Sequence, residues 1–491
     1  MTFLKERKRE TANPKALLEF MRVKWAHDSK KMPQRHPNAN VFAKRRRALS
    51  AHFRGEVLII PSGHEKVRAN DTHYRFRPGS DFFWLTGCGE PDCVLVMVPK
   101  GRGHEAHMFV EPNAGHTDAT FYTDRNKGAL WVGPRLGVPQ SKARYGVEKA
   151  RGLPDLAKAL TRYPLARVLR GISSRVDTLR SPAHERPPDK ELAVTLSELR
   201  LRKDPLEIAE LKKVIAATKL GFEDVIASLP QAGSERYVEG IFALRARVEG
   251  NDVGYGTIAA GGANACILHW TKNDGQLDKR ELLLLDAGVE GHQLYTADIT
   301  RTVPMSGHFS TAQRDIYTLV WRAQQAAFKA VRPGNDFMEP NRRAMKVLAE
   351  GLVELGILKT TAAKALDDKH QFYKRYSLHN ISHMLGLDVH DCARARQEVY
   401  RYGPLQAGMV LTIEPGLYFQ LDDLTVPKKY RGIGVRIEDD VLVTKTGMLN
   451  LSADIPTEAS AVEQWVQGLQ AAPRATRSPV SRVGRPQPSL P

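Results

Sequence analysis

The sequence predicts an α+β protein of two domains, a smaller α/β domain followed by a larger mixed one, and three observations carry that reading. Short apolar runs punctuated by Gly and Pro dominate residues 54–101, as strands do. The stretch from Asp204 to Leu229 has helical apolar spacing and opens on a cap. Beyond it, strand-like runs and helical segments alternate as far as residue 444.

In order, residues 1–40 form a basic arm, 41–195 the first domain, 196–460 the second, and 461–491 a disordered basic tail rich in Pro, Arg and Ser. RGEVLIIPSG (54–63) reads as a strand and turn, and DFFWLTG (81–87) and DCVLVMVPKG (92–101) as two more strands. HERPPDKE (184–191) breaks the pattern. Asp204 then caps a long helix with Pro205 at its first position. Leu206, Ile208, Ala209, Leu211, Ile215, Ala216 and Leu220 make its apolar face. Residues 251–305 read as strand-rich, 311–332 and 340–355 as helices, and 376–444 as strands.

Composition excludes several function classes. At 42% hydrophobic and 26% charged the chain can bury a large core. No apolar run approaches the roughly 18 to 20 residues of a spanning helix, so no membrane role is expected. The N-terminal charges are followed by no apolar signal core. The four cysteines Cys88, Cys93, Cys266 and Cys392 form no CxxC pair. A reducing cytoplasm is the expected compartment. The net charge of +18 suggests nucleic acid until it is located. Residues 1–50 carry fourteen Lys and Arg against four acids, and residues 471–491 carry four Arg against none, which leaves only +4 for the middle of the chain. Nucleic-acid binding is therefore not expected as the main role.

The chemistry-bearing residues lie at the ends of apolar runs in the second domain. LLLLDAGVEGHQLYTADITRT (282–302) delivers Asp286 and Asp298; VLTIEPGLYF (410–419) delivers Glu414; GIGVRIEDDVLV (432–443) delivers Glu438. LHNISHMLGLDVHD (378–391) holds His379, His383 and His390, and ACILHWTKND holds His269. Singly, each has an ordinary explanation as a turn acid, a core histidine, or, for Glu438, an ion pair with Arg436 two positions earlier. Together, four carboxylates in buried sequence would need four buried partners, whereas two divalent cations would neutralise all four. An oxygen-rich set with histidine and no thiolate suits Mn²⁺ better than a structural zinc site. Water held between two such ions is acidified to a nucleophile near neutral pH, the chemistry of a dinuclear hydrolase.

These motifs in this order resemble the M24 pita-bread metallopeptidases, and within them the Xaa-Pro aminopeptidases (aminopeptidase P). The likeness covers roughly residues 41–458 and includes SDFFWLTGCGEPDCVLV in the first domain. It implies a C-terminal pita-bread (creatinase/aminopeptidase) domain of two related halves, preceded by a smaller N-terminal α/β domain. It implies that Asp286, Asp298, His383, Glu414 and Glu438 bind two metal ions, with Asp298 and Glu438 bridging. Manganese is the expected ion, with cobalt or zinc as alternatives. His269 and His390 would steady the scissile carbonyl, and Glu414 would shuttle the proton. His379, Tyr418, Arg436, Trp131 and Asp81 would line or order the substrate pocket, Trp131 coming from a neighbouring subunit of a homodimer or homotetramer.

The implied reaction is release of the N-terminal residue from peptides with proline in the second position. A prolidase acting on Xaa-Pro dipeptides would share every ligand, and a non-catalytic pita-bread binding protein is the further alternative. Three departures from the pattern stand out: one extra residue between Asp286 and Asp298, Asn380 where glycine is usual, and the basic arm.

Overall fold

The computed structural model describes residues 13–26, 32–179 and 185–471. Most of the expected disordered tail, and the arm's residues 1–12 and 27–31, lie outside them. The chain divides into two compact units between Leu199 and Arg200, at the end of the helix Pro187–Arg200, so the domain boundary expected at 195/196 falls inside a helix.

The first unit is built on a five-stranded mixed sheet in the order Lys149–Gly152, Gly103–Val110, Val94–Lys100, Leu58–Pro61, Arg167–Val168. Its three central strands pair antiparallel and its two edges parallel. Val94, Leu95, Val96 and Met97 are all buried, as in a strand covered on both faces. DFFWLTG, expected as a strand, is the helix Ser80–Thr86. Phe82, Phe83, Trp84 and Leu85 are buried on every side, so no periodicity separates the two readings. The helix ends at Gly87, whose φ of +67° favours glycine. A Cβ there would also lie 2.2 Å from the Phe42 ring.

Part of the expected arm is structured. The helix Lys15–Met21 is followed by Trp25, which stacks on His116 with ring centroids 4.1 Å apart, and the Tyr122 hydroxyl donates to the Met21 carbonyl at 2.6 Å.

The second unit opens with the helix Pro205–Ser228 on a full capping box. Asp204 accepts from the Leu206 and Glu207 N–H groups, and Glu207 reaches back to the Asp204 N–H at 2.9 Å. The buried face runs through Leu211, Val214, Ile215, Thr218, Phe222 and Val225, while Ala209 and Ala216 point to solvent, a shift from the expected stripe. Two three-stranded antiparallel sheets follow. One places Leu282–Ala287 between Ile258–Gly261 and Ile299–Pro304; the other places Asp439–Val443 between Val410–Ile413 and Met448–Asn450. Helices Thr311–Ala330 and Glu339–Glu354 come between them in the chain, and their apolar faces join the shared core. Among the described residues one isolated bridge, Thr300 with Glu438, links the two sheets.

The strands expected over 376–444 form regularly only from Val410. Residues 381–385 run beside 410–414 as an irregular edge. The backbone bonds Thr412 to His383, Glu414 to Ile381 and Leu385 to Val410 are present. The His383 N–H instead takes the Thr412 hydroxyl at 3.2 Å, which breaks the ladder. The expected tail also begins too early, because the helix Ala459–Ala471 buries Val462 and Val466 in the core. No helix among the described residues is long and apolar enough to cross a membrane.

Candidate active site

Strand register assembles the site. Asp286 lies directly opposite Thr300, and Asp298, two residues before Thr300, shares its face. The bridge to Glu438 leaves Thr300 between Asp286 on one side and Glu438 on the other. Glu414 follows the last residue of Val410–Ile413, and the irregular edge beside that strand presents His383. Residues from five separate motifs thereby converge on a cavity of about 550 Å³ lined by His269, His379, Asp286, Asp298, His383, His390, Glu414, Arg436 and Glu438.

Ligand-type atoms of Asp298, His383 and Glu438 all lie within 4.8 Å of one another. His383 Nε2 is 3.2 Å from Asp298 and 3.4 Å from Glu414. Its Nδ1 lies 3.2 Å from the Met384 carbonyl, which assigns the proton to Nδ1 in the neutral ring and turns the Nε2 lone pair to the carboxylates. That is the orientation a metal-binding imidazole needs.

The ordinary alternative for Glu438, an ion pair with Arg436, is not what the structure shows among the described residues. The Arg436 guanidinium donates to Asp286 at 2.6 Å, to Tyr418 at 3.0 Å and to the Thr300 hydroxyl at 3.2 Å. Glu438 instead accepts the Thr300 hydroxyl at 2.6 Å. Register explains the exchange: Gly434–Arg436 ends before Glu438, and the Thr300 bridge brings Asp286 within reach of the guanidinium. The Tyr418 hydroxyl donates to His379 Nε2 at 2.8 Å, and His379 Nδ1 donates to the Asn380 carbonyl at 2.9 Å. His269 and His390 are exposed at the rim, with His390 edge-on to His383 at 4.4 Å between centroids.

Charge in this cavity is unbalanced. Asp286, Asp298 and Glu438 are 8%, 4% and 1% exposed, and Arg436 is the one Lys or Arg lining the cavity among the described residues. Burial, reinforced by neighbouring carboxylates, pushes Asp286 and Glu438 upward and Glu414 up to about 7. Burial alone would lower His383, but Asp298 and Glu414 raise it to about 9. Burial and the nearby Arg436 charge lower His379 to about 4, so it is neutral. Behind Asp298, Asp440 is also buried and raised, and its Oδ1 has no partner among the described residues. One histidine and four carboxylates short of positive charge fit divalent cations.

Sequence reasoning missed Tyr255. Its hydroxyl lies 2.7 Å from Asp286 and 2.5 Å from Asp298, between the two acids. The signal available was weak, a lone tyrosine between glycines in DVGYGT. Thr300 and Thr412 were likewise passed over as strand residues. Between Asp286 and Asp298 the chain makes the turn Gly291–Tyr295. There Leu294 takes φ of +62°, and both Leu294 and Tyr295 are buried. The Tyr295 hydroxyl reaches Glu207 of the capping box at 3.1 Å. Asp81 and Trp131 belong to the first unit, Asp81 in the first turn of Ser80–Thr86 and Trp131 half-exposed with its indole N–H donating to the Tyr122 carbonyl.

Residues 209–445 match Metallopeptidase family M24, and residues 42–167 match Aminopeptidase P, N-terminal domain. The chain is 48% identical to Xaa-Pro aminopeptidase 1 of Streptomyces coelicolor over 461 residues, covering 92% of each chain. It is 32% identical to the Xaa-Pro aminopeptidase of Escherichia coli, covering 86% of this chain and 96% of that one. Among solved structures it superposes on E. coli aminopeptidase P with the inhibitor Pro-Leu at a TM-score of 0.78. That match has 30% identity and covers 89% of this chain and 100% of that one. Zinc-substituted E. coli aminopeptidase P in complex with product matches at a TM-score of 0.79, with the same identity and coverage.

Proposed function

This chain belongs to metallopeptidase family M24, with the pita-bread fold, and we infer that it works as a metallo-aminopeptidase that releases the N-terminal residue from peptides with proline second. The observation that carries the chemistry is the buried cavity in which four carboxylates and one histidine face too little positive charge. Asp286, Asp298, His383, Glu414 and Glu438 would hold two divalent cations, manganese by the oxygen-rich donor set. A related enzyme carries zinc when substituted. Bound there, the ions would polarise the scissile carbonyl and lower the pKa of the attacking water.

Glu414 takes the water's proton at its carboxylate and returns it to the departing proline nitrogen. The Thr412 hydroxyl, which donates to Glu414 Oε1 at 3.3 Å, orients that carboxylate. His269 and His390, at the cavity rim, direct ring N–H groups to the carbonyl oxygen as it gains charge. Neutral His379 and Tyr418, locked together and to Arg436, offer an uncharged wall for the proline ring. In this reading Trp131 reaches the substrate pocket from a neighbouring subunit of a homodimer or homotetramer. Four free, buried cysteines, with the Cys88 and Cys93 sulfurs 4.0 Å apart and unbonded, suit a reducing cytoplasm.

Glu414→Ala should abolish turnover while circular dichroism stays unchanged, and a fully active variant would sink the mechanism. A panel of Xaa-Pro-Xaa tripeptides and Xaa-Pro dipeptides, run with Mn²⁺, Co²⁺ and Zn²⁺ in turn, tests substrate and ion together. Preference for the dipeptide would turn the reading to a prolidase.

A further inference from the structure

A second cavity, of about 490 Å³, lies in the first unit between the helix Ala39–His52 and the hairpin Val94–Val110. Its ionisable lining is Arg46, Arg47, Arg54, Lys100, Arg102 and His104, against the single acid Glu148. Half of that positive set already serves the fold. Arg46 is buried and donates to the Leu85 carbonyl at 2.8 Å and the Gly146 carbonyl at 3.3 Å. His104 is held by the Ser50 hydroxyl at 2.7 Å and the Glu56 carbonyl at 2.6 Å. Lys100 is paired with Glu105. Glu148 is engaged too, accepting the Ala106 N–H at 2.8 Å.

Arg47, Arg54 and Arg102 remain. All three are exposed, and none has a carboxylate or carbonyl partner among the described residues. Packing does not require them, and three like charges around one concavity repel each other. A guanidinium presents a planar fork of N–H donors that matches phosphate oxygens two at a time. Three forks exceed what one carboxylate can accept, but they suit a chain of phosphates. The volume falls in the range of roughly 300–1,000 Å³ usual for small-molecule sites. Ala43, Ala51 and Met97 supply an apolar side where an uncharged part of a ligand could rest.

We propose that this cavity binds a small polyphosphate anion, free or carried by a nucleotide, through Arg47, Arg54 and Arg102. The convergence of the arginines on a pocket, rather than along a stripe, favours a small anion over a nucleic-acid track. The site is independent of the peptidase reading.

Calorimetric titration of the full-length protein with sodium triphosphate and with ATP tests it. Saturable one-site binding is expected, weakened as salt is raised. The double variant Arg47→Glu/Arg102→Glu should weaken it by roughly tenfold or more, with Arg47→Gln/Arg102→Gln in between. Glu414→Ala should bind as the parent does, which separates this site from any phosphate taken up by metal ions in the other cavity. Both substituted arginines are exposed, so unchanged peptide hydrolysis and circular dichroism should accompany the loss. Equal affinity for triphosphate and ATP assigns the inorganic chain, and tighter ATP assigns the nucleotide; either supports the proposal. It is overturned if neither ligand binds saturably, if the charge-reversal variant binds as the parent does, or if a single-stranded oligonucleotide binds where triphosphate does not.

Discussion

Replacing Arg301 by methionine tests how the two halves of the catalytic unit are locked. Arg301 is 0% exposed and heads the largest fully buried side chains. Its guanidinium donates to Asp439 at 2.8 Å and to the carbonyls of Ile455 and Pro456 at 2.8 Å, Thr300 at 2.9 Å and Glu438 at 2.6 Å. One group therefore grips the strand that carries Asp298 and the segment that carries Glu438. Methionine removes all five bonds and leaves the Asp439 carboxylate, also 0% exposed, with the neutral side-chain donors Gln324 at 2.8 Å and Ser452 at 2.6 Å among the described residues. Removing one partner of a buried ion pair costs about 3–5 kcal/mol. For a unit of this size that is a fall on the order of 10 °C in melting temperature. Differential scanning calorimetry reads it directly. The double variant Arg301→Met/Asp439→Leu should recover part of the loss, because no unpaired charge is then buried. Manganese titration of the single variant should show weaker binding by roughly tenfold or more, since support of the ligand-bearing strands is gone. An Arg301→Met protein that melts within about 2 °C of the parent and binds manganese equally well would refute the reasoning.

Two further outcomes follow from the same geometry. Gly288→Ala would place a Cβ 1.8 Å from the Ala297 carbonyl oxygen and 3.1 Å from the Tyr255 ring, so the strands bearing Asp286 and Asp298 must part. Metal uptake, followed by titration with Mn²⁺, should be lost while the first unit keeps its own thermal transition. In the first unit, Asp189 is buried, and Arg186, the Val168 N–H and Arg170 outweigh burial to hold its carboxyl at about 2. Its folded value is depressed below the ordinary 3.8, so its contribution is present above that value and is lost as pH falls from about 4 to about 2. Asp189→Asn should cost about 2 kcal/mol at neutral pH and flatten the acid limb of the stability curve, measured by denaturant unfolding across that range.

Much of the architecture is legible in the residues because it is local. The Asp204 cap with Pro205 behind it, the apolar strands 94–98 and 282–287, and the two helices read over 311–332 and 340–355 each follow from spacing and end chemistry within one segment. The acids Asp286, Asp298, Glu414 and Glu438 could be picked out for the same reason, as charges that apolar strand sequence makes costly. DFFWLTG misled because a short segment buried on all sides has no period to read.

What only the tertiary structure decided is who meets whom. Arg436 sits two residues from Glu438 in the chain, yet register with Thr300 hands it to Asp286 and gives Glu438 a threonine hydroxyl instead. Tyr255 acquires its place between two aspartates from a loop whose sequence carries no trace of that pairing. Of three consecutive arginines, Arg45 and Arg46 turn inward to backbone carbonyls, and Arg47 is left exposed at the cavity. Spacing along one chain determines which side chains share a face, but the partner each one finds depends on segments brought together from 31 residues away, for Tyr255 and Asp286, to 150, for Arg436 and Asp286.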